Sequence, residues 1–385
     1  MTETAQPPAL SAIDLAPSPL AALLIQAAAP PALSAHCGAL TPYSLDAPRR
    51  ETESLAFGAA VHDLAWLRRV AVRGEDRLRW LSGMVTNTVI DLPANAGAWN
   101  LVLNAQGRIQ GDLHVWREGD NLALTIAADQ YNRLLAHFDR FIIMDDVELL
   151  PLSLDADGNL TAETALGLTG PLAAGILERL DLPAPSEKLT CATAQWNGQP
   201  IRILRAYGAL APHFELWLQA AQLPALWRAL TLSGATPVGV ASLEAFRIAE
   251  GIPAYGTDMV ERDLPQETSQ MRSLSFNKGC YLGQEIVERI RSRGNVHRHL
   301  RSLELFGPLP TPGAELTLDS GASAGQITSA AELPLPTGNR KFALGMIRAE
   351  AEIRNQPFAY TAASATGTAR IQAVPPSFQA SQQHE

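Results

Sequence analysis

Apolar and polar residues alternate along several short stretches between residues 70 and 143, with turn-forming residues between the stretches. This pattern predicts strands at residues 70–72, 99–103, 109–116 and 122–126, with a strand-like pair at 142–143. Apolar residues at helical spacing predict two helices among these strands. One follows Asp76, which we expect at its N-cap, and the other runs from Asp129 to Phe138. The first part of the chain is therefore predicted to mix α and β structure.

A similar order of strands and helices recurs between residues 170 and 250. Strands are predicted at 201–204 and 214–218. Helices are predicted after Gly170, with Pro171 at the first helical position, and at 242–250, where Gly251 ends the helix. The strand and helix at 122–138 resemble the strand and helix at 214–230. This internal similarity predicts two related halves.

From residue 300 onward the pattern changes to short apolar runs separated by turns rich in proline and glycine. The runs at 303–306, 315–318, 325–328 and 342–347 predict a small β-barrel or sandwich. We therefore divide the chain into a flexible leader (1–18), a first lobe (19–160), a second lobe (161–299), a β-barrel (300–374) and a disordered tail (375–385).

Composition excludes several classes of protein. The chain has 385 residues, 46% of them hydrophobic, which excludes an intrinsically disordered protein. Its net charge of −9 argues against direct binding of nucleic acid through a general positive field. The apolar stretch at residues 20–29 stands between two prolines and is too short to span a membrane. We therefore expect neither a nucleic-acid-coating protein nor a membrane protein.

The three cysteines, Cys37, Cys191 and Cys280, are far apart in the sequence. They form no Cys-x-x-Cys pair, which argues against a zinc ribbon, a disulfide framework or an iron–sulfur cluster held by this chain alone. No metal site is therefore predicted. Such cysteine usage is typical of a protein of the reducing cytoplasm.

Residues 276–285 carry the clearest signal for chemistry. Cys280 lies between Gly279 and Gly283, just before a helix predicted to extend to about residue 292. The helix dipole and the neighbouring Lys278 would both favour the thiolate, which is the reactive form of cysteine. The alternative is a small, buried and inert cysteine in a tight turn, the commoner environment of a free cysteine.

A cluster of basic residues follows this segment. Its members are Arg289, Arg291, Arg293, His297, Arg298, His299 and Arg301. Such a cluster could bind carboxylates or phosphates. It could equally be a solvated helix face in which Glu285 and Arg289 pair at i,i+4.

Two other segments could contact a ligand. In the hairpin at residues 104–112, Gly107 allows a close backbone approach, and Arg108 and Asp112 could face a ligand; an ordinary β-turn is the alternative. At the end of the helix at 242–250, Arg247 and Glu250 are three residues apart, which also fits a plain i,i+3 ion pair.

The octapeptide Lys278-Gly279-Cys280-Tyr281-Leu282-Gly283-Gln284-Glu285 resembles the signature of the YgfZ family, relatives of the glycine cleavage T-protein. Supporting segments at 72–76, 104–108, 247–253, 264–267, 293–294 and 325–329 follow in the family's order. The resemblance extends from about residue 70 to 374.

This resemblance implies an α+β fold like that of the glycine cleavage T-protein, with two related α+β lobes and a C-terminal β-barrel around a central folate-binding channel. It implies tetrahydrofolate as the cofactor and a role in the assembly or repair of iron–sulfur enzymes, including tRNA-modifying ones. The implied partners are these client enzymes or assembly proteins.

The resemblance also assigns roles to individual residues. Cys280 matches the key cysteine, with Lys278 and Tyr281 as flanking partners and with Gly279, Gly283, Gln284 and Glu285 completing the motif. Contacts to the folate are expected near Arg108, Asp112, Arg247 and Glu250.

The hairpin departs from the pattern of T-proteins that transfer an aminomethyl group, which show a Gly-Gly pair and two adjacent acids. Here Gly107 is followed by Arg108, and Asp112 by itself stands where two acids are usual. An acid–base catalyst must lie close to the reacting nitrogen, so Asp112 is the remaining candidate. This leaves an aminomethyl- or methyltransferase as an alternative function, and tRNA binding by the basic cluster as a third hypothesis.

Overall fold

The structure, a computed structural model, describes residues 15–155, 158, 160, 162–294, 296–373 and 375–378. Residues 1–14 of the predicted leader and 379–385 of the predicted tail lie outside this description. The helices are α1 (Pro19–Leu24), α2 (Pro48–Phe57), α3 (Arg77–Met84), α4 (Ala128–Asp139), α5 (Ala173–Arg179), α6 (Leu223–Leu232), α7 (Val240–Glu250), α8 (Gln284–Arg293) and α9 (Ala349–Glu352). Within the described ranges, none of them has both the length and the apolar character needed to cross a lipid bilayer.

Nineteen strands accompany these helices in the described ranges. They are β1 (Leu33–His36), β2 (Ala39–Pro42), β3 (Ala60–Asp63), β4 (Leu67–Arg73), β5 (Ala96–Leu103), β6 (Ile109–Glu118), β7 (Asn121–Ala127), β8 (Glu148–Pro151), β9 (Glu163–Thr169), β10 (Thr190–Trp196), β11 (Gln199–Ala206), β12 (His213–Gln219), β13 (Thr236–Val238), β14 (Arg298–Phe306), β15 (Glu315–Thr317), β16 (Ser323–Leu335), β17 (Gly338–Arg348), β18 (Phe358–Ala362) and β19 (Ala365–Ile371).

One sheet of 11 strands spans both halves, in the order β13-β3-β9-β12-β11-β10-β5-β6-β7-β4-β8. On one side of the β10–β5 junction the order β10-β11-β12-β9 repeats the order β5-β6-β7-β4 on the other side. The helices α3 and α5 follow β4 and β9, and α4 and α6 follow β7 and β12. The similar segments at 122–138 and 214–230 are thus equivalent units, and the two related α+β halves predicted from the sequence are confirmed.

The helices of each half cover one face of the sheet. Because side chains alternate between the two faces along a strand, every second residue points toward these helices. The apolar positions of β6 and β12 pack against these helices; they include Leu113, Val115, Phe214 and Leu216. The intervening positions are polar and include Asp112, His114, His213 and Glu215. They line a cavity on the opposite face.

The six strands from β14 to β19 close into a barrel, which confirms the predicted C-terminal β-barrel. Helix α7 joins the barrel to the sheet. The buried Asp258, just after α7, accepts from Arg247 Nη1 at 2.8 Å and from the hydroxyls of Thr328 and Ser329 on β16, both at 2.6 Å. Beyond the barrel, the ring of Phe378 lies near that of Phe342, with centroids 6.3 Å apart.

One local prediction in the first half is wrong. Residues 142–143 form a bend in which Ile143 is 81% exposed, whereas a strand was expected. The neighbouring Asp146 holds this segment against the start of α3, because its N–H donates to Asp76 Oδ2 at 3.0 Å. The prediction that Asp76 is the N-cap of α3 is confirmed, and its carboxylate binds Asp146 and Arg79 rather than an N–H group of its own helix.

A second correction concerns the start of α5. The helix begins at Ala173 with Leu172 as its N-cap, so Pro171 lies outside the helix. The Leu172 N–H donates to the carbonyl oxygen of Gly58 at 2.9 Å, which holds this end against the residue that ends α2. The prediction that Gly251 ends α7 is confirmed, since Gly251 adopts a left-handed conformation with φ of +72°.

Candidate functional site

A cavity of about 270 Å³ lies between the polar face of the sheet and α7. Three of the residues predicted from the sequence line it, namely Asp112, Arg247 and Glu250. Side chains that the sequence reasoning did not select line it as well; they include His114, Thr125, His213, Glu215 and Arg272. Both halves of the sheet therefore contribute to one site.

Asp112 is held rigidly at the cavity wall. Its Oδ2 accepts from Trp99 Nε1 at 2.8 Å, and its Oδ1 accepts from Gln130 Nε2 at 3.0 Å. Gln130 Oε1 in turn accepts from the backbone N–H of Asp112 at 3.0 Å. Burial raises the pKa of the Asp112 carboxyl above its ordinary value. The fixed geometry and the raised pKa are both properties of an acid–base group.

Two glutamates add further buried carboxyl groups to the cavity. Glu215 on β12 accepts from Trp217 Nε1 at 2.9 Å, and Glu250 on α7 accepts from the Leu210 N–H at 2.8 Å. Burial raises the pKa of each of these carboxyl groups to about 7. Near neutral pH they therefore change between proton donor and acceptor.

Arg247 does not form the i,i+3 pair with Glu250 that the sequence allowed. It pairs instead with Glu244, three residues earlier on α7, and with Asp258. Burial by itself would lower the pKa of Arg247, but these two carboxylates outweigh it and raise the pKa. Arg247 is thus a fixed cation that connects α7 to Asp258 beside the barrel. The Glu250 carboxyl group is not paired with Arg247 and lines the cavity.

Arg272 is a cavity residue that the sequence reasoning missed. Its guanidinium lies 3.6 Å from the ring centroid of Tyr207 and 4.7 Å from that of Trp99, so two aromatic rings hold it. Its charge opposes the raising of the pKa of Asp112 and Glu250. A lone arginine within a short 3-10 turn forms no sequence pattern that predicts this role.

The signature loop lies outside this cavity. The Cys280 thiol is exposed, so the alternative of a buried structural cysteine is wrong. Lys278 Nζ donates to the carbonyl oxygens of Ser82 and Val85, both at 2.6 Å, at the end of α3. Burial lowers the pKa of Lys278 to about 7. Lys278 thereby fastens the loop that presents Cys280 to solvent.

The hairpin and the signature loop pack directly against each other. Gly107 and Gly283 both have positive φ, +69° and +83°, and each stands where an added Cβ would meet the other segment. A Cβ on Gly283 would lie 2.5 Å from the carbonyl oxygen of Asn104. Arg108, at this turn, donates to the carbonyl oxygen of Arg262 and, within the described residues, is not part of the cavity wall.

The remaining residues of the motif shape the loop. Gln284 Oε1 accepts from the Tyr281 N–H at 3.2 Å, and the Tyr281 ring is buried beneath Lys278, whose Nζ lies 5.0 Å from its centroid. Gly279 is exposed beside Cys280. Glu285 pairs with Arg289 at 2.7 Å on the helix surface, as the plainer interpretation of the basic cluster proposed.

Other members of the basic cluster are also paired with acids. Arg291 lies 3.4 Å from Glu288, and Arg298 lies 2.7 Å from Asp263. Glu352 accepts from both Arg301 and His299, at 2.6 and 2.9 Å. These pairs neutralise much of the charge that an anionic partner would need.

Known proteins resemble this chain over most of its length. The sequence profile described as the GCVT N-terminal domain matches residues 41–278. An aminomethyltransferase of Rubrobacter xylanophilus is 28% identical over 309 residues, which cover 79% of this chain and 80% of that protein. A chloroplastic protein of Arabidopsis thaliana, whose name provisionally calls it a transferase, is 26% identical over 318 residues, covering 80% of this chain and 69% of that protein.

A solved structure agrees with these sequence matches. The glycine cleavage system aminomethyltransferase T from Bartonella henselae superposes with a TM-score of 0.82 over 94% of this chain and 98% of that chain. Because the two sequences are 19% identical, this likeness establishes the fold. The profile match covers more than half of the chain, from the second strand to the signature loop. The chain belongs to the family of the GCVT N-terminal domain.

Proposed function

We propose that this chain is a tetrahydrofolate-binding protein of the YgfZ branch of its family, and that it supports the assembly or repair of iron–sulfur enzymes, including tRNA-modifying ones, through Cys280. The observation that carries the proposal is the presence of two separate sites on one scaffold: a buried polar cavity and an exposed motif thiol. The cavity would hold the folate, and the thiol would meet a client at the surface. The reducing cytoplasm is the compartment that suits its three free cysteines.

The cavity suits the pterin ring of a folate. Its volume of about 270 Å³ is close to the lower end of small-molecule sites, roughly 300 Å³. It would therefore take the ring, while the p-aminobenzoylglutamate part extends outward. A pterin presents an amino group and a ring N–H side by side, and one carboxylate accepts both. Glu215 can serve, because within the described residues its Oε1 has no partner.

A second polar group supports the same assignment. The hydroxyl of Thr125 is buried in the cavity wall and has no hydrogen-bond partner in the part of the chain that the structure describes. A buried hydroxyl without a partner costs about 1–3 kcal/mol. A polar ligand would remove this cost. Arg272, held between its two aromatic rings, adds a positive charge at the same wall.

The exposure of Cys280 supports a role toward a partner rather than toward the folate. Its side chain is exposed, and Lys278 and Gly283 hold its loop against α3 and the hairpin. One cysteine cannot hold an iron–sulfur cluster by itself, so contact with a cluster requires a second protein or a small thiol as co-ligand. The partner proposed here is therefore an iron–sulfur client enzyme or assembly protein.

Complementation tests the role of Cys280. Cells that lack their own family member would receive the wild type, Cys280→Ser or the control Cys191→Ser, and the activity of an iron–sulfur enzyme would be measured. Cys191 is a partly buried thiol outside the motif. We expect activity to be lost in Cys280→Ser and kept in Cys191→Ser. Full activity of Cys280→Ser would remove the thiol from the proposal. Tetrahydrofolate binding by purified Cys280→Ser, expected to be unchanged, tests the cavity separately.

The second candidate is a tetrahydrofolate-dependent aminomethyl- or methyltransferase, and two observations favour it. Asp112 lies in the cavity with a raised pKa, and relatives of this chain carry the name aminomethyltransferase. Turnover of a methylamine donor with tetrahydrofolate would be measured for the wild type, Asp112→Asn and Cys280→Ser. Turnover that is lost in Asp112→Asn and kept in Cys280→Ser would make the transferase the leading function. Absence of turnover in the wild type would leave Asp112 as a ligand contact.

A further inference from the structure

Two histidines on the β3, β9 and β12 side of the sheet share one threonine in the cavity wall. His62 Nε2 lies 3.0 Å from Thr169 Oγ1, and Thr169 Oγ1 lies 2.7 Å from His213 Nδ1. The two imidazole rings are stacked, with centroids 5.6 Å apart and planes inclined by 7°. All three side chains line the cavity, on β3, β9 and β12. The motif and hairpin roles described above do not use this cluster.

A glycine makes room for the arrangement. Gly167 on β9 lies directly opposite His62 on β3 in the register of the sheet. A Cβ on Gly167 would lie 1.9 Å from His62 Cε1, so a larger residue would push this ring away. On its other side Gly167 faces Glu215 on β12. The imidazole of His62 therefore lies across the strand, within reach of Thr169.

The hydrogen bonds fix where the protons are. Burial lowers the pKa of His62 to about 4 and that of His213 to about 3, so each ring carries a single N–H near neutral pH. His62 Nδ1 lies 3.3 Å from the carbonyl oxygen of Asp63, which can only accept, so Nδ1 carries the proton. His62 Nε2 must then accept the hydroxyl proton of Thr169.

The same logic extends to His213. Because the Thr169 hydroxyl donates to His62, its oxygen is left to accept from His213 Nδ1–H. The remaining nitrogen, His213 Nε2, then carries a lone pair and no proton. Within the described residues it has no hydrogen-bond partner, and its ring lines the cavity. Glu215 stands two residues along the same strand, so an acceptor and a carboxyl group face the same space.

We propose that Thr169 positions His213 so that Nε2 accepts a hydrogen bond from the ligand, and that this acceptor selects reduced folates over oxidised ones. The pyrazine-ring nitrogens of a tetrahydropterin carry hydrogens, whereas those of an oxidised pterin carry lone pairs. A lone pair facing His213 Nε2 leaves both acceptors unpaired and repelling each other. This inference rests on the proposed function, since it names the residues by which the same cavity would prefer the reduced form of the folate.

Binding measurements with three proteins test the selection. Dissociation constants for tetrahydrofolate, under anaerobic conditions, and for folic acid would be measured by calorimetry for the wild type, Thr169→Val and Thr169→Ser. An unpaired buried acceptor costs about 1–3 kcal/mol, so the wild type should bind tetrahydrofolate at least about fivefold more tightly than folic acid. Thr169→Val keeps the shape of the side chain but frees His213 to turn its N–H toward the cavity. The ratio of the two dissociation constants should therefore fall to less than about threefold. Thr169→Ser should preserve it.

The outcomes separate this inference from the proposed function. If neither compound binds the wild type, the folate-binding function itself fails. If both bind with equal affinity, folate binding stands and the selection is wrong. A ratio unchanged in Thr169→Val would also overturn the role of Thr169.

A measurement on the wild type does not depend on the folding of any variant. The nitrogen chemical shifts of His213 in a ¹⁵N-labelled sample distinguish the two neutral tautomers. We expect the Nδ1–H form, with Nε2 unprotonated. Observation of the Nε2–H form would contradict the hydrogen-bond chain and with it the proposal.

Discussion

Buried ionisable side chains give the cavity a charge that depends on pH. Burial raises the pKa of Glu215 and Glu250 to about 7, and it lowers the pKa of His62 and His114 to about 4. The native state therefore holds the acids protonated at a pH where the unfolded chain ionises them, and holds the histidines neutral where the unfolded chain charges them. Each such group reduces stability over its own pH range, which is the expected cost of a polar site inside a protein.

Glu215→Gln should remove the pH-dependent loss of stability that the buried Glu215 carboxyl group causes. The folded pKa of about 7 lies above the ordinary value of 4.5, so between these values the folded state binds the extra proton. The stability from Glu215 is therefore fully present below pH 4.5 and is lost as the pH rises to about 7, by at most about 1.4 kcal/mol per pH unit. Glutamine cannot titrate.

Guanidinium denaturation of both proteins at several pH values measures the effect. The wild type minus Glu215→Gln difference in unfolding free energy should fall between pH 4.5 and 7 and then level off. The histidines act with opposite sign, but they are present in both proteins and cancel in the difference. A difference that is constant with pH would contradict the raised pKa of Glu215.

At the scale of elements, two loops that are far apart in the sequence fit together through glycine. Gly283 is the N-cap of α8 and adopts φ of +83°. A Cβ added to it would point at the carbonyl oxygen of Asn104 and the Cα of Gly107. The Leu282 N–H also donates to the carbonyl oxygen of Gly83 at 3.0 Å. The position of Cys280 thus depends on backbone contacts with the hairpin and with α3.

Gly283→Ala should be strongly destabilising. Its Cβ would lie 2.5 Å from the carbonyl oxygen of Asn104, and an L-residue resists this φ, so a loss of about 2 kcal/mol or more in unfolding free energy is expected. Gly279→Ala is the matched control, because the described residues leave open space within 4 Å of its Cβ position. It should change stability by less than about 0.5 kcal/mol. Equal melting temperatures for the two variants would show that the hairpin does not constrain the loop.

The sequence predicted these elements better than it predicted the contacts between them. Turn residues and apolar periodicity placed the hairpin, the signature loop and the barrel, because these signals are local. The contact between Gly107 and Gly283 forms only in the folded chain, and no local sequence pattern predicts it. Glu215 was missed for a related reason. A polar residue that alternates with apolar ones along a strand usually faces solvent, and the cavity is visible only when the two halves are joined.

On the scale of the whole molecule, ion pairs join the two halves on the polar face of the sheet. They connect side chains on β4, β6, β9 and β11. Arg69 of the first half pairs with Glu163 of the second at 3.0 Å and with Glu118. Arg202 of the second half pairs with the same two glutamates, at 2.8 and 2.9 Å. Arg69 is fully buried. Since β4 and β9, and likewise β6 and β11, are equivalent strands, the two halves meet through opposite charges at related positions.

Glu163→Gln should therefore weaken the junction that brings the two walls of the cavity together. Removing one partner leaves the Arg69 guanidinium buried with one carboxylate, and such a change costs about 3 kcal/mol. Glu285→Gln is the control, because the Glu285–Arg289 pair is as short, at 2.7 Å, but exposed; it should cost less than about 1 kcal/mol. Denaturant unfolding at neutral pH measures both. If the two variants lost equal stability, the ion pairs between the halves would contribute no more to stability than a pair on the surface. Apolar packing would then be what holds the two walls of the cavity together.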